Sequence, residues 1–589
     1  MGDRPVKRLK VIPTDSHHQE PPGPAFDCSD NPANPGSIGS DRSLSSLHRT
    51  ITPPPRPRSR LPSQTQHESV ADASIHKSDD GNRPKLIPSP IQLTNIRDLP
   101  ASSGNNVDTV RLRDILGDPM VRECWQFNFL HDVDFIMSQL DEDVRALVQV
   151  KIVHGSWKRE APNRIRIDEQ CSRYPNVEAI TAYMPEPFGT HHSKMMVLLR
   201  HDDLAQVIIH TANMIPGDWA NMCQAVWRSP LLPLSNTGES KEPASSTIGS
   251  GARFKRDLLA YLEAYGSKKT GQLVKQLEKH DFSAVRAALI ASVPSKQKVN
   301  EMNSRKAPLW GWPALKDTLR NVPVLHEKNT SGSPKKPHIV IQVSSIASLG
   351  QTDKWLKEIF FESLSPSSVL SSATPRPKYS VIFPTPDEIR RSLNGYGSGG
   401  SIHMKLQSPA QQRQLQYMRP YLCHWAGDRE DPISDSGGAN AVKREAGRRR
   451  AAPHIKTYVR FSDAEYMDRI DWAMVTSANL STQAWGAAPN ANGEVRICSW
   501  EIGVIVWPEL FVGSENNGKA EMVPCFKRDT PSSELIEVLE GQDSTAPSAI
   551  VGFRMPYDLP LVPYSATDIP WCATSSHSEP DWLGQTWEG

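Results

Sequence analysis

The sequence predicts an α/β protein built as two related halves, and three observations carry that prediction. Short, almost wholly apolar runs recur that read as strands buried on both faces. Segments of helical periodicity fall between them. A block consisting of His-x-Lys, a strand, then Asn and Trp occurs once in each half.

Residues 1–105 are expected to form a disordered tail. Phe26 is their only aromatic residue, and Pro, Ser, Asp, Asn and charged residues dominate. Such a stretch cannot bury enough apolar surface to offset its ordering entropy. It holds two basic clusters, Val6-Lys7-Arg8-Leu9-Lys10 and residues 53–60, which suit nuclear import, loose attraction to DNA, or simply a solvated tail. Residues 106–330 and 331–589 are expected to be the first and second domains. In the first, 147–153, 195–199 and 206–209 read as strands, 254–265 and 271–280 as helices, and 234–252 as an exposed insertion. In the second, 339–343, 379–383, 473–475 and 501–507 read as strands. Residues 386–393 read as a helix with Pro and acidic residues in its first turn. Residues 427–450 form another polar insertion. It ends in Arg448-Arg449-Arg450, a run that either extends a phosphate track or lies in solvent.

The bulk numbers limit the function classes. With 67 Lys+Arg against 66 Asp+Glu the net charge is +1, so any nucleic-acid surface must be local. The eight cysteines are scattered with no CxxC or zinc spacing, which argues for reduced thiols in an intracellular compartment. No run of about 18 apolar residues predicts a membrane span, and no signal-peptide core opens the chain.

Four His-x-Lys triplets occur, beginning at His192, His326, His403 and His454. Alone such a triplet means little, and a hydrogen-bonded core histidine beside a salt-bridging lysine is its ordinary explanation. Two of the four belong to something longer. After Lys194 come a strand, Thr211-Ala212-Asn213 and Trp219; after Lys456 come a strand, Ser477-Ala478-Asn479 and Trp485. In both the tryptophan follows the asparagine by six residues. Alternation along an extended chain turns His and Lys the same way, and the Asn after the next strand can reach the same spot. Two halves related by pseudo-twofold symmetry would bring two imidazoles, two ammonium groups and two carboxamides to one point. That set suits a phosphoryl group: Lys and Asn donate to its oxygens, and an imidazole serves as nucleophile, acid or base near neutral pH. No carboxylate cluster offers to hold Mg²⁺ or Zn²⁺, so the lysines supply the positive charge and no metal or other cofactor is expected.

These residues resemble the phospholipase D superfamily, whose signature adds an Asp after His-x-Lys. Leu199 and Phe461 stand at that position here. The loss of both Asp residues, with residues 187–196 around His192 and 453–458 around His454, is similar to the tyrosyl-DNA phosphodiesterase branch. Residues 343–350, 399–401 and 556–560 match it too. The resemblance implies two similar α/β/α sandwich domains with the active site at their interface. It implies that His192 attacks phosphorus to form a covalent phosphohistidine, and that His454 protonates the leaving tyrosine oxygen and then deprotonates the water that releases the product. Lys194, Lys456, Asn213 and Asn479 would hold the phosphoryl oxygens. A Glu and a Gln replace the lost Asp in that branch, and Glu501 and Gln224 match them, each also readable as an ordinary structural residue. Phe188 is a candidate to stack on a base, and Ser345 and Ser401 to donate to backbone phosphates, although each also fits a structural role. His191 fits local support.

The implied substrate is DNA, as a single-stranded 3′ end or nicked duplex, carrying a topoisomerase I peptide through a phosphotyrosyl bond or another 3′ blocking group. With a DNA substrate the tail clusters favour the nucleus. One chain already holds both half-sites, which favours a monomer, and without an obvious membrane-binding segment no membrane partner is expected. Two other readings remain open at this point: a phospholipase or phosphatidyl transferase using the same residues, and an inactive nucleic-acid-binding module.

Overall fold

The computed structural model of the protein describes residues 84–235, 247–299, 308–324, 335–366, 375–427, 443–512, 519–532 and 547–589. Both basic clusters of the tail and the His326 triplet lie outside the described residues.

Apolar runs set the strands, and the strands build two large sheets that repeat one another. The first sheet runs, edge to edge, Ile91–Leu93, Ala225–Arg228, Ala205–His210, Met195–Arg200, Val121–Phe127, Gln149–His154 and Val177–Thr181. Its first five strands are successively antiparallel, and the last two add in parallel. The second sheet contains Ala288–Ser292, Glu501–Val506, Ile470–Thr476, Thr457–Phe461, His338–Gln342, Lys378–Ile382 and Leu422–Cys423 in the same succession of directions. Ala520–Cys525, Ala549–Arg554 and Lys85–Ile87 extend the second sheet from Ile470–Thr476. The duplication read from short motifs is thus a duplication of seven strands.

Period-two packing explains the buried runs. Met195, Val197 and Leu199 join one core cluster, whereas Met196 and Leu198 join another on the opposite face. The first face packs on helix Gly251–Glu263, whose Phe254, Leu258, Tyr261 and Leu262 are buried at helical spacing. Ser250 caps that helix, accepting from Arg253 N at 3.2 Å. The second face packs on Val133–Gln139 and Pro162–Ser172. The first sheet therefore lies between helical layers. In the second half, Thr385 and Glu388 form a reciprocal capping box at the start of Pro386–Arg390, a helix that ends three residues earlier than the sequence pattern implied.

Three expectations need correction. The tail does not reach residue 105, because Ile91–Leu93 forms the outer strand of the first sheet and Lys85–Ile87 pairs with Ala549–Arg554. The sheets do not divide at residue 330, because Ala288–Ser292 already pairs with Glu501–Val506 in the second sheet. Finally, Arg448 to Arg450 neither extends a phosphate track nor lies in solvent as a run. Arg448 is buried and donates to the carbonyls of Thr94 at 2.6 Å and Asn105 at 3.3 Å. Arg449 pairs with Asp558, and Arg450 lies over the Trp582 ring.

Candidate active site

Both triplets and both asparagines lie at one end of their sheets. Lys194 directly precedes Met195–Arg200, and Asn213 follows the antiparallel neighbour Ala205–His210 by three residues. Lys456 directly precedes Thr457–Phe461, and Asn479 follows Ile470–Thr476 by three. Paired strands run oppositely, so the start of one meets the end of the next. The triplets are lead-ins to strands rather than parts of them, yet alternation survives. Ser193 turns its hydroxyl to Tyr261, while Lys194 and Lys456 each donate back to the carbonyl of their own histidine. His403-Met404-Lys405 enters a different arrangement, its histidine pairing with Ser345 across a two-residue parallel ladder.

Each histidine is held by the opposite half. His192 Nδ1 lies 3.0 Å from Glu501 Oε2, and His454 Nδ1 lies 3.0 Å from Gln224 Nε2. The backbone repeats the exchange: His192 N donates to Trp500 O at 3.0 Å, and His454 N to Cys223 O at 3.2 Å. Behind these contacts a hydroxyl fixes each orienting group. Ser477 donates to Glu501 Oε2, and Thr211 donates to Gln224 Oε1 at 2.7 Å. Each hydroxyl also accepts a backbone N–H at 2.9 Å, from Ile502 and Ala225 respectively. Glu501 and Gln224 thus stand where the sequence placed them. Leu199 and Phe461, at the missing Asp positions, are fully buried core residues.

Burial and charge set the chemistry. Lys194 and Lys456 are buried, and burial pulls Lys194 down to about 8 against the pull of Glu501 and Asp218. Burial and then the charge of Lys194 push Lys456 well below the usual lysine range. Burial lowers His192 while Glu501 opposes it, so the ring is neutral near pH 7 with its Nδ1–H given to the carboxylate. Burial, followed by Lys456, Lys194 and His192, holds His454 well below the ordinary histidine range. These mutual effects need proximity, so the two imidazoles and two lysines share one centre. An arriving phosphodiester anion opposes every one of these depressions.

The asparagines are held differently. Asn479 Oδ1 accepts from Ser344 N at 3.1 Å and Ser345 N at 2.9 Å, leaving its NH₂ to donate. Asn213 Oδ1 is buried without a hydrogen-bond partner among the described residues, while its backbone N donates to Asp218. Trp219 and Trp485 donate to the carbonyls of Asn213 and Asn479, each at 3.0 Å, which explains the six-residue spacing. Phe188 is 80% exposed and so free to meet a ligand. Ser345 supports Asn479 through its backbone, and Ser401 lies two residues before His403, the partner of Ser345. His191 is buried between Asn128 O and Tyr265 Oη.

Sequence reasoning missed three features. Phe129 packs 5.6 Å from the His192 ring. The hydroxyls of Thr211 and Ser477 precede the asparagines by two residues in both copies, a repeat that was there to be read. Asp218, with Oδ2 3.2 Å from His454 Nδ1, has Ala484 as its counterpart in the second block. Among the described residues no group of three or more His, Cys, Asp or Glu side chains is gathered as a metal site requires, and no helix is long and apolar enough to cross a membrane.

This geometry has relatives. Residues 90–565 match the model of the tyrosyl-DNA phosphodiesterase family. A probable tyrosyl-DNA phosphodiesterase of Schizosaccharomyces pombe is 31% identical over 85% of this chain and 96% of its own. Tyrosyl-DNA phosphodiesterase 1 of Arabidopsis thaliana is 29% identical over 85% of this chain and 77% of its own. The crystal structure of the yeast tyrosyl-DNA phosphodiesterase shares the fold, with a TM-score of 0.54 at 21% identity, covering 83% of this chain and 99% of that one. A family model spanning both sheets and both histidines leaves one assignment: the chain belongs to the tyrosyl-DNA phosphodiesterase family.

Proposed function

We propose that this protein hydrolyses the phosphodiester bond between a tyrosine of a topoisomerase I remnant and the 3′ end of DNA, through a covalent phosphohistidine. The observation that carries this reading is the reciprocal support of two histidines beside two buried lysines. In both rings it is Nδ1 that meets the supporting side chain, which leaves Nε2 for the chemistry. His192 Nε2 attacks phosphorus, the bond to the tyrosine oxygen breaks, and His454 gives that oxygen a proton. Water then gives a proton to His454 and attacks, the P–N bond breaks, and a 3′-phosphate leaves. Each lysine keeps two ammonium protons beyond its backbone bond for the phosphoryl oxygens, and Asn479 adds its NH₂. The same centre suits other small 3′ blocking groups, since the chemistry requires only a phosphodiester and a leaving group that can be protonated.

His192 is the more open histidine, with 15% of its side chain exposed against 3% for His454, as a nucleophile reached by a large substrate should be. Phe188 supports a strand by stacking, worth about 1–3 kcal/mol per base regardless of sequence, and Ser345 and Ser401 donate to its backbone. One chain supplies the whole centre and works as a monomer, and the basic tail clusters take it to the nucleus. The test is cleavage of a 3′-phosphotyrosyl oligonucleotide beside a phosphatidylcholine vesicle. Release of tyrosine and 3′-phosphate DNA without choline release is expected; choline release alone, or neither product, refutes the proposal.

A further inference from the structure

Asp218 sits on the short helix Pro216–Ala220, is fully buried, and takes no part in the scheme above. Its Oδ2 accepts from Asn213 N at 2.6 Å, lies 3.4 Å from Gln224 Nε2, and lies 3.2 Å from His454 Nδ1. Gln224 presents an NH₂ to His454, because its carbonyl oxygen is taken by the Thr211 hydroxyl. An NH₂ group cannot accept a proton. Yet both working forms of His454 carry a proton on Nδ1: the imidazolium acid of the first step, and the base of the second, whose Nε2 lone pair must be free. In this arrangement the charged acceptor within reach of that proton is the Asp218 carboxylate, 3.2 Å from Nδ1, while the Thr211 carbonyl also accepts from the ring.

We infer that Asp218 is the positioning residue of His454, accepting its Nδ1–H and supplying the negative charge that Glu501 supplies to His192. Gln224 then acts on the carboxylate rather than on the imidazole, donating toward Asp218 Oδ2 and steadying it. Each imidazole is thereby paired with one carboxylate, although only one of the two supporting positions carries an acid. Burial pushes the Asp218 carboxyl up to about 6, against the pull of the Asn213 N–H and the Lys456 and Lys194 ammonium groups. The charged groups around His454 are Asp218, Lys456, Lys194 and His192, with Glu501 acting on Lys456.

This inference rests on the two-step reading above, and the experiment separates the two. Wild-type enzyme mixed with a 3′-phosphotyrosyl oligonucleotide and quenched at intervals reports adduct formation and breakdown; no adduct at any time overturns the two-step reading itself. With Asp218→Asn, adduct breakdown is expected to slow by about 10–100-fold, the scale of a lost charged hydrogen bond. The acid limb of its pH profile moves to lower pH, since the charge favouring the imidazolium is gone while both lysines remain. Adding Gln224→Glu restores the charge from the neighbouring position and returns the limb toward its wild-type place, a rescue that a merely structural role would not permit. Unchanged adduct lifetime in a folded Asp218→Asn variant overturns the assignment, and so does slowed breakdown with an unmoved limb or without rescue. Should Asp218→Asn not fold, Asp218→Glu keeps the charge and is expected to keep the limb in place. A shifted limb there overturns the assignment as well.

Discussion

The two copies of the repeat agree in backbone and differ in support. Strand order, the lysine turned back on its histidine's carbonyl, the tryptophan on the asparagine carbonyl and the hydroxyl behind the orienting group recur in both. Around His192 stands one carboxylate, fixed by Ser477; around His454 stands a carboxamide with a carboxylate beside it. A nucleophile needs a fixed tautomer and an open approach. A group that first gives and then takes a proton needs a partner that tolerates both states. The difference lies in the side chains that touch the two imidazoles, while the scaffold has stayed the same.

The sharpest way to break this comparison is to remove each imidazole. His192→Ala is expected to abolish both turnover and adduct. His454→Ala should lower turnover by about 10²–10⁴-fold, the scale of general acid–base catalysis, while the adduct accumulates. Equal adduct levels in quenched samples of the two variants would reverse or erase the role assignments.

A smaller effect separates the lysines. Lys194 is held at about 8, and burial with the charge of Lys194 pushes Lys456 well below the usual lysine range, so the empty site loses an ammonium proton as the pH rises. The ammonium is the useful form. Accordingly kcat/KM should fall as the pH rises through about 8, by roughly tenfold for each further unit. By contrast kcat should hold to higher pH, because a bound phosphodiester anion favours both ammonium groups. A kcat/KM profile flat to about pH 9.5 would remove the lysines from the required charge.

The smallest effect probes the hydroxyls. Thr211→Val and Ser477→Ala each delete two buried hydrogen bonds, of which the one to the orienting group, worth about 1 kcal/mol or roughly fivefold, bears on the rate. Ser477→Ala should act on adduct formation through Glu501 and His192, and Thr211→Val chiefly on adduct breakdown through Gln224 and His454. Rapid-quench rates in which both variants slow the same step would deny that support is divided between the two histidines.

How much of this was legible in the sequence follows from what each residue contacts. Residues 195–199 and 473–475 announce themselves because a stretch of strand covered on both faces is apolar on both. The catalytic block is legible because it occurs twice. Lys85–Ile87 and Ile91–Leu93 are only three residues each, so their place in the sheets comes from distant partners and leaves little local pattern. Ala288–Ser292 follows the first half's helices directly, and nothing local says that it crosses to the other sheet. Arg448 reads as surface, because the carbonyls that satisfy it belong to residues 354 and 343 positions away. Asp218 resembles any acidic residue in a helix's first turn, and only its mismatch with Ala484 in the second copy sets it apart.

The backbone bonds from His192 to Trp500 and from His454 to Cys223 reach further than geometry. They make the centre indivisible. Either half produced alone would carry an imidazole without the side chain that meets its Nδ1. A variant at Glu501 or Gln224 is felt, in effect, by the histidine on the far side. A change on one side of the centre is therefore read out on the other, and the two copies work only as a pair.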